Sequence, residues 1–240
     1  MCGRMYLSDP KGFIGRNGWA VGLPTQGELF EEVQRPRYNI APLQQLLAIR
    51  NDGDRPIFDS MRWGLVPSWS RTDEHAAKLI NARSETVGEK PSFRDALARR
   101  RCLIVADGFY EWQKLTGPGN QTQPHAVAGE SGAPLTFAGL WESWVDPTTR
   151  RPLLTATVCT RAADAQIAHL HHRMAVVVPK DQWSTWLDPA ASAQTAAEIL
   201  LAVPAPTFKT WPVSKRVGAV RNDDASLLDP VELGPESLFD

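Results

Sequence analysis

Short apolar runs separated by turn residues dominate the middle of the chain, whereas helical periodicity is found mainly towards its two ends. Residues 153–160 alternate at period two, and residues 102–106 form a continuous apolar run typical of a buried strand. We predict strands at residues 46–50, 57–63, 102–106, 108–112, 135–141, 153–160, 173–178 and 208–213, and helices at residues 25–33, 93–99, 181–187 and 190–203.

This order of elements predicts an α+β fold, with mixed or antiparallel sheets that form a barrel-like core flanked by short helices. No repeat or low-complexity linker divides the chain, so we expect residues 1–240 to form one β-rich domain. The segment at 117–131 has a loop-like composition. The stretch at 223–240 is acidic and contains proline, which predicts a loosely ordered tail.

Composition narrows the class of protein further. Hydrophobic residues make up 42% of the chain, charged residues 22%, and the net charge is -1, as in a folded globular protein. No apolar run reaches 18 residues and the start does not resemble a signal peptide, so we expect a cytoplasmic, nucleoid-associated protein without membrane contact. The near-zero charge argues against tight non-specific nucleic-acid binding but permits a local basic cleft.

The second residue, Cys2, is the strongest chemical candidate. Removal of the initiating methionine requires a small second residue, and a cysteine there gives a free α-amine and a thiol on adjacent carbons. An amine adds to an aldehyde to give a Schiff base, and the nearby thiol closes on that imine to form a thiazolidine. Because this closure is intramolecular, its effective concentration is very high. From position alone, a structural role for this small apolar side chain is equally open.

Two further side chains are candidate proton carriers. Glu111 and His171 each lie at the edge of a predicted buried strand, where a side chain can be held rigidly. The alternatives are a solvated glutamate and a metal site that combines the clustered histidines with Cys159 or Asp164. Because the spacing of these residues matches no metal-ligand signature, we expect no metal, and we expect no cofactor.

Aromatic and basic residues suggest a nucleic-acid surface. Trp69 and Trp112 lie in polar segments flanked by Gly and Pro, where stacking on a base is an alternative to burial in the core. Arg4, Arg83 and Arg173 are either surface charges or bidentate ligands of phosphate groups.

Taken together, six motifs in register resemble the SRAP (SOS response-associated peptidase) family, from residue 2 to about residue 222. The motifs lie at residues 2–4 (CGR), 38–42 (YNIAP), 63–69 (WGLVPSW), 81–86 (NARSET), 107–112 (DGFYEW) and 171–174 (HHRM), and residues 211–214 (WPVS) resemble the closing motif of the family. One departure is Ala175, where the family often has proline.

The resemblance implies that Cys2 forms a thiazolidine link to an abasic site in single-stranded DNA. It further implies that Asn81 hydrogen-bonds the opened sugar, that Glu111 shuttles protons to and from the amine, and that His171 acts on the sugar hydroxyl. The DNA-contacting residues that it implies are Arg4, Asn39, Pro42, Trp69, Arg83, Trp112, Arg173 and Ser214.

The implied activity is a lyase-type crosslinking reaction with self-processing of the N-terminus, on single strands and at junctions with duplex DNA. We expect a monomer. Three alternatives remain at this point. An N-terminal-nucleophile amidohydrolase also begins with Cys-Gly, a thiol peptidase would pair Cys2 with His171, and a non-catalytic single-strand binder would use Cys2 only structurally.

Overall fold

The computed structural model describes residues 3–18, 28–115, 119 and 121–233, with the side chains of residues 28 and 29 excepted. The strands are β1 (Met5–Leu7), β2 (Arg37–Ile40), β3 (Gln45–Asn51), β4 (Pro56–Trp63), β5 (Asn81–Arg83), β6 (Arg101–Ala106), β7 (Gly108–Lys114), β8 (Thr122–Gly129), β9 (Leu135–Val145), β10 (Pro152–Ala162), β11 (Arg173–Ala175) and β12 (Phe208–Pro212). The α-helices are α1 (Pro10–Asn17), α2 (Glu28–Val33), α3 (Arg94–Arg99), α4 (Trp183–Leu187) and α5 (Ala193–Ala202).

Five strands close into a barrel in the order β10, β4, β3, β6 and β9, because β9 pairs with both β6 and β10. The apolar run of β6 is buried along its whole length, as expected for a strand inside a closed sheet. Strand β10 has four partners. It runs parallel to β4 and β5 and antiparallel to β9 and β11, so it joins the barrel to the two short strands beside it.

The second sheet is antiparallel, in the order β12, β8, β7, β1 and β2. One of its faces packs on the barrel, where the rings of Phe109 and Phe137 meet edge to face with centroids 5.9 Å apart. The opposite face carries a separate apolar cluster that includes Tyr6, Tyr110 and Leu227. Alternate residues of β7 therefore face different surroundings.

A buried cation holds together the end of the barrel that carries α3 and α4. Arg101, at the start of β6, is 3% exposed and has no carboxylate partner among the described residues. Its guanidinium donates hydrogen bonds to five backbone carbonyls, those of Leu97, Ala98, Trp186, Asp188 and Ala191. The carbonyls that these helix ends leave without intrahelical partners thus become the ligands of the cation.

The predicted fold class is confirmed, since the structure is a sheet-rich fold with a five-stranded barrel and a few short helices. The predicted helix at 190–203 corresponds to α5, which begins after the cap Ser192, whose hydroxyl accepts from Thr195 N. None of the helices in the described ranges is long and apolar enough to cross a membrane.

One local prediction was wrong. The predicted loop at 117–131 contains a strand, because residues 122–129 form β8, which pairs with β7 and β12 on its two sides. The loosely ordered tail at 223–240 stays a prediction, and its described part, up to residue 233, is attached to the fold. Leu227 is fully buried there, and Val231 N donates to Pro212 O at 3.0 Å. Residues 234–240 lie outside the described part.

Candidate active site at the end of the second sheet

Glu111 projects from β7 into the region between the sheet and the barrel. It lies two residues beyond Phe109 on the same face, and it is 3% exposed. Burial raises its pKa to about 7, because desolvation penalises the carboxylate more than the neutral acid. The side chain therefore populates both protonation states near neutral pH, as an acid–base group requires.

The start of the chain leads directly to this carboxyl group. Strand β1 pairs antiparallel with β7 in a register that opposes Met5 to Phe109, and Tyr110 N donates to Arg4 O at 2.9 Å. The same register, continued by two residues, brings Gly3 opposite Glu111. Cys2 itself lies outside the described residues, and its predicted position beside Glu111 stays a prediction.

His171 is the second-last residue of the histidine turn, as we term residues 163–172 between β10 and β11. Arg173 N donates to its Nδ1 at 2.9 Å, which leaves Nε2 to carry the proton of the neutral imidazole. Its ring stacks on that of His172, with centroids 4.3 Å apart. Burial lowers the pKa of His171, so the neutral form prevails at pH 7.

His125, on β8, was not among the predicted site residues. It lies directly opposite Glu111 in the β7–β8 pairing, so both side chains share one face of the sheet. Burial lowers its pKa, and the nearby charge of His169 lowers it further. Since His169 belongs to the histidine turn, His125 connects the Glu111 side of the site to the His171 side. Sequence reasoning missed it because the segment that contains its strand was predicted as a loop.

Strand β5 contributes two of the predicted residues from the barrel. Asn81 and Arg83 pair with Val158 and Thr160 of β10, the strand from which the histidine turn departs. Arg83 is exposed, and its guanidinium makes no hydrogen bond or ion pair with any described residue. Its positive charge is therefore exposed and is not offset by a carboxylate of the described residues.

Arg173 has a different environment. Its guanidinium forms a bidentate pair with Glu85, at 2.6 and 2.8 Å, and also donates to Thr160 O at 2.6 Å. This pairing lowers the pKa of Glu85, so its charge offsets that of Arg173 throughout the neutral range. Through these contacts, Arg173 anchors the end of the histidine turn to Glu85 and to β10.

Arg4, Asn39 and Trp112 lie on the face of the sheet opposite to Glu111. The guanidinium of Arg4 donates to Asn39 Oδ1 at 2.7 Å and lies 5.8 Å from the Trp112 ring centroid. Asn39 is 1% exposed, and its amide nitrogen donates to the carbonyls of residues 217, 219 and 222. Asn39 therefore positions Arg4 and presents little surface of its own to a ligand.

Three apolar side chains of the turns that follow β2 and β4 are half-buried or exposed, and we call them the apolar edge: Pro42, Leu43 and Trp69. Trp69 is 64% exposed and Leu43 is 48% exposed. Leu43, which sequence reasoning missed, has a φ of 70°, a left-handed conformation that its side chain disfavours. Its N–H donates to Trp63 O at 2.8 Å, which holds this turn in place. The last predicted residue, Ser214, caps the short helix that follows β12, since its hydroxyl accepts from Arg216 N.

Within the described ranges, no three His, Cys, Asp or Glu side chains are grouped as metal ligands. What the geometry defines is an acid–base site at the end of a sheet, on a barrel-containing fold. A sequence profile described as SOS response associated peptidase (SRAP) matches residues 1–220. The chain belongs to the SRAP family, as its motifs predicted.

Three relatives are each named an abasic site processing protein. The chain is 39% identical over 199 residues to the abasic site processing protein YoaM of Bacillus subtilis, a match that covers 81% of this chain and 85% of the relative. It is 36% identical over 231 residues to YoqW of the same organism, with 95% and 99% covered, and YoqW is also named an abasic site processing protein. The abasic site processing protein HMCES of Gallus gallus is 35% identical over 228 residues, with 83% and 68% covered.

Solved structures share the fold. A protein from Bacteroides thetaiotaomicron superposes with a TM-score of 0.79 at 20% identity, covering 96% of this chain and all of that one. A phage-related protein from Bordetella bronchiseptica gives a TM-score of 0.67 at 29% identity, with 89% and 95% covered.

Proposed function

We propose that this chain captures abasic sites in single-stranded DNA, through a thiazolidine crosslink between the aldehyde of the opened sugar and the N-terminal Cys2. The names of its SRAP relatives support the substrate class. The observation that carries the chemistry is the position of Glu111. This buried carboxyl group has a pKa of about 7, and its strand pairs with β1, the first strand of the chain.

The reaction needs one group that can both give and accept a proton. The α-amine of Cys2 attacks the aldehyde carbon, and the resulting carbinolamine loses its hydroxyl group as water, with a proton from Glu111. The thiol then adds to the carbon of the resulting iminium ion, the ring nitrogen keeps its hydrogen, and the thiol proton returns to Glu111. Carbon–nitrogen and carbon–sulfur bonds form, one water leaves, and no oxidant is required.

His171 and Asn81 serve the step that precedes capture. An abasic sugar is mostly closed as a hemiacetal, so its ring must open before the aldehyde is available. As the ring opens, the carboxylate form of Glu111 accepts the proton of the anomeric hydroxyl and returns it to the ring oxygen, while the Nε2–H of neutral His171 donates a hydrogen bond to that oxygen. Asn81 supplies an amide within the same region to hydrogen-bond the hydroxyl that opening releases.

The DNA path follows from the exposed groups. Arg83 offers an unneutralised charge to phosphates on the barrel side, and Arg4 does so on the far face of the sheet. The strand would cross the end of the sheet between them. The apolar edge is suited to stacking a base and to stopping a duplex, which accounts for the proposed use of junctions.

The test is a denaturing-gel time course with a single-stranded oligonucleotide that carries one abasic site. We expect a covalent product with the unsubstituted chain, none with Cys2→Ala, and slow formation with His171→Ala. His75→Ala is the matched control, because this exposed imidazole lies in a different segment and should be dispensable. DNA with a borohydride-reduced sugar should give no product.

Full product with Cys2→Ala would contradict the proposal. So would a retained Met1 in the active protein, which mass spectrometry of the mature N-terminus detects. Turnover of glutamine or of generic peptides, with no covalent DNA product, would instead identify an amidohydrolase or a thiol peptidase.

A further inference from the structure

His125 is the buried ionisable group of the site that the proposed chemistry leaves without a role. It is 7% exposed and directly faces Glu111 across the β7–β8 pairing. Side chains opposed in this way have Cβ atoms about 4.5–5.5 Å apart. The residue opposite His125 on its other side, in β12, is Pro212, which cannot titrate.

The hydrogen bonds of His125 determine where a second proton can bind. Its Nδ1 lies 3.2 Å from Gln123 O, a carbonyl that can only accept, so Nδ1 carries the hydrogen of the neutral ring. Nε2 makes no hydrogen bond to any described residue. Protonation must therefore occur at Nε2, where it creates a positive charge and a new donor at once.

The ionisable surroundings of this ring come from two elements. Strand β7 contributes Glu111, and the histidine turn contributes His169, which is exposed. Further along the turn, the charge of Arg173 is offset by Glu85. In the free protein burial, and after it the charge of His169, disfavour a second proton on His125, whereas an anion entering the site would favour it.

We propose that His125 is a further DNA-binding residue of this site, which takes up a proton on Nε2 as a backbone phosphate of the bound strand approaches. This inference rests on the proposed function, because it assigns the role to DNA that lies over Glu111. Binding is then linked to proton uptake. Affinity is greatest below the pKa of His125 in the free protein and declines as pH rises through its higher pKa in the complex.

The test measures affinity and not crosslinking, so it is independent of Cys2 chemistry. The probe is a single-stranded oligonucleotide with a tetrahydrofuran abasic analogue, which has no aldehyde, studied by fluorescence anisotropy from pH 5.5 to 7.5 at constant ionic strength. We expect the affinity gain on acidification to be about five- to tenfold larger in the unsubstituted chain than in His125→Phe, as for one linked proton.

Glu111 also titrates in this range, so the comparison is repeated in a Glu111→Gln background, where the same five- to tenfold difference should remain. His125→Gln should behave like His125→Phe, because neither side chain accepts a proton, and it guards against a folding defect of the larger ring. His75→Ala is the matched control, since this exposed histidine belongs to a different segment and should leave the pH dependence unchanged.

An unaltered pH dependence in both His125 variants would overturn this inference and leave the proposed function intact. Loss of the pH dependence in His75→Ala would also overturn it. Absence of binding by the unsubstituted chain at every pH would overturn the proposed function as well.

Discussion

The Arg101 end of the barrel and the Glu111 site both bury an ionisable group at 3% exposure, yet they treat it differently. Arg101 has five carbonyl acceptors that replace water around its charge. Burial lowers the pKa of Arg101 as well, but a guanidinium stays protonated in proteins, whereas burial raises the pKa of Glu111 to about 7. A buried charge whose hydrogen bonds to the protein replace those to water stabilises the fold. A buried group with fewer such hydrogen bonds has a shifted pKa and can exchange protons.

The largest expected effect tests the reactive side of this contrast. Glu111→Gln should slow crosslinking by about 100-fold or more, because the amide neither gives nor accepts a proton. Rate constants from a gel time course measure the loss. Glu142→Gln is the matched control: Glu142 is equally buried, but it pairs with Arg100 at 2.7 Å in the barrel. An equal loss in both variants would count against a chemical role for Glu111.

The structural side of the contrast predicts the opposite phenotype. Arg101→Met should lower the free energy of unfolding by about 3–5 kcal/mol, since it leaves buried carbonyls without donors. The folded fraction should still crosslink at the normal rate. Chemical denaturation measures the stability, with the exposed Arg99→Met as a control expected within about 0.5 kcal/mol. A stable but inactive Arg101 variant would erase the distinction between the two regions.

The pH dependence of stability sharpens the contrast. Burial raises the pKa of Glu111 from an ordinary 4.5 to about 7, so between these values the folded chain binds more protons than the unfolded chain. Stability contributed by this group therefore falls as pH rises through that window, by about 3 kcal/mol in total. The loss should be absent in Glu111→Gln, as denaturation curves at several pH values would reveal. If the free energy of unfolding depended on pH in the same way in the unsubstituted chain and in Glu111→Gln, the raised pKa of Glu111 would be contradicted.

The smallest expected effect concerns the apolar edge, whose three side chains are not ionisable. Trp69→Ala should weaken binding of undamaged single-stranded DNA about tenfold, through lost stacking, and leave stability unchanged because Trp69 is 64% exposed. Anisotropy titrations measure it. Val145→Ala, another exposed apolar position, is the control. Equal affinities would remove the apolar edge from the DNA path.

Sequence patterns anticipated the parts of the fold whose periodicity is local. The continuous apolar run of β6 indicated a buried strand, and the alternation of apolar residues with threonine in β10 also indicated a strand, although residues 155–160 are all buried. Strand β8 was missed because Gln, Pro and His interrupt its apolar pattern, and because one of its two neighbours in the sheet, β12, is distant in sequence.

The candidate site was predictable in its residue types but not in its arrangement. Glu111 and His171 were recognisable from their motifs, whereas the opposed pair of Glu111 and His125 depends on strand register, which no local pattern reveals. The contrast between Arg83 and Arg173 was equally hidden, since only tertiary structure brings Glu85 to one of them. The left-handed backbone at Leu43 had no compositional signal either.

The four partners of β10 have a consequence for the order of folding during synthesis. Its partner strands lie between Pro56 and Ala175 in the sequence. The backbone groups of β10 therefore do not all have hydrogen-bond partners until Ala175 has left the ribosome. Until then the nascent chain carries unpaired strand edges, a state that favours slow maturation and association with other chains. Chaperone dependence should accordingly concentrate in the interval between translation of β9 and translation of β11.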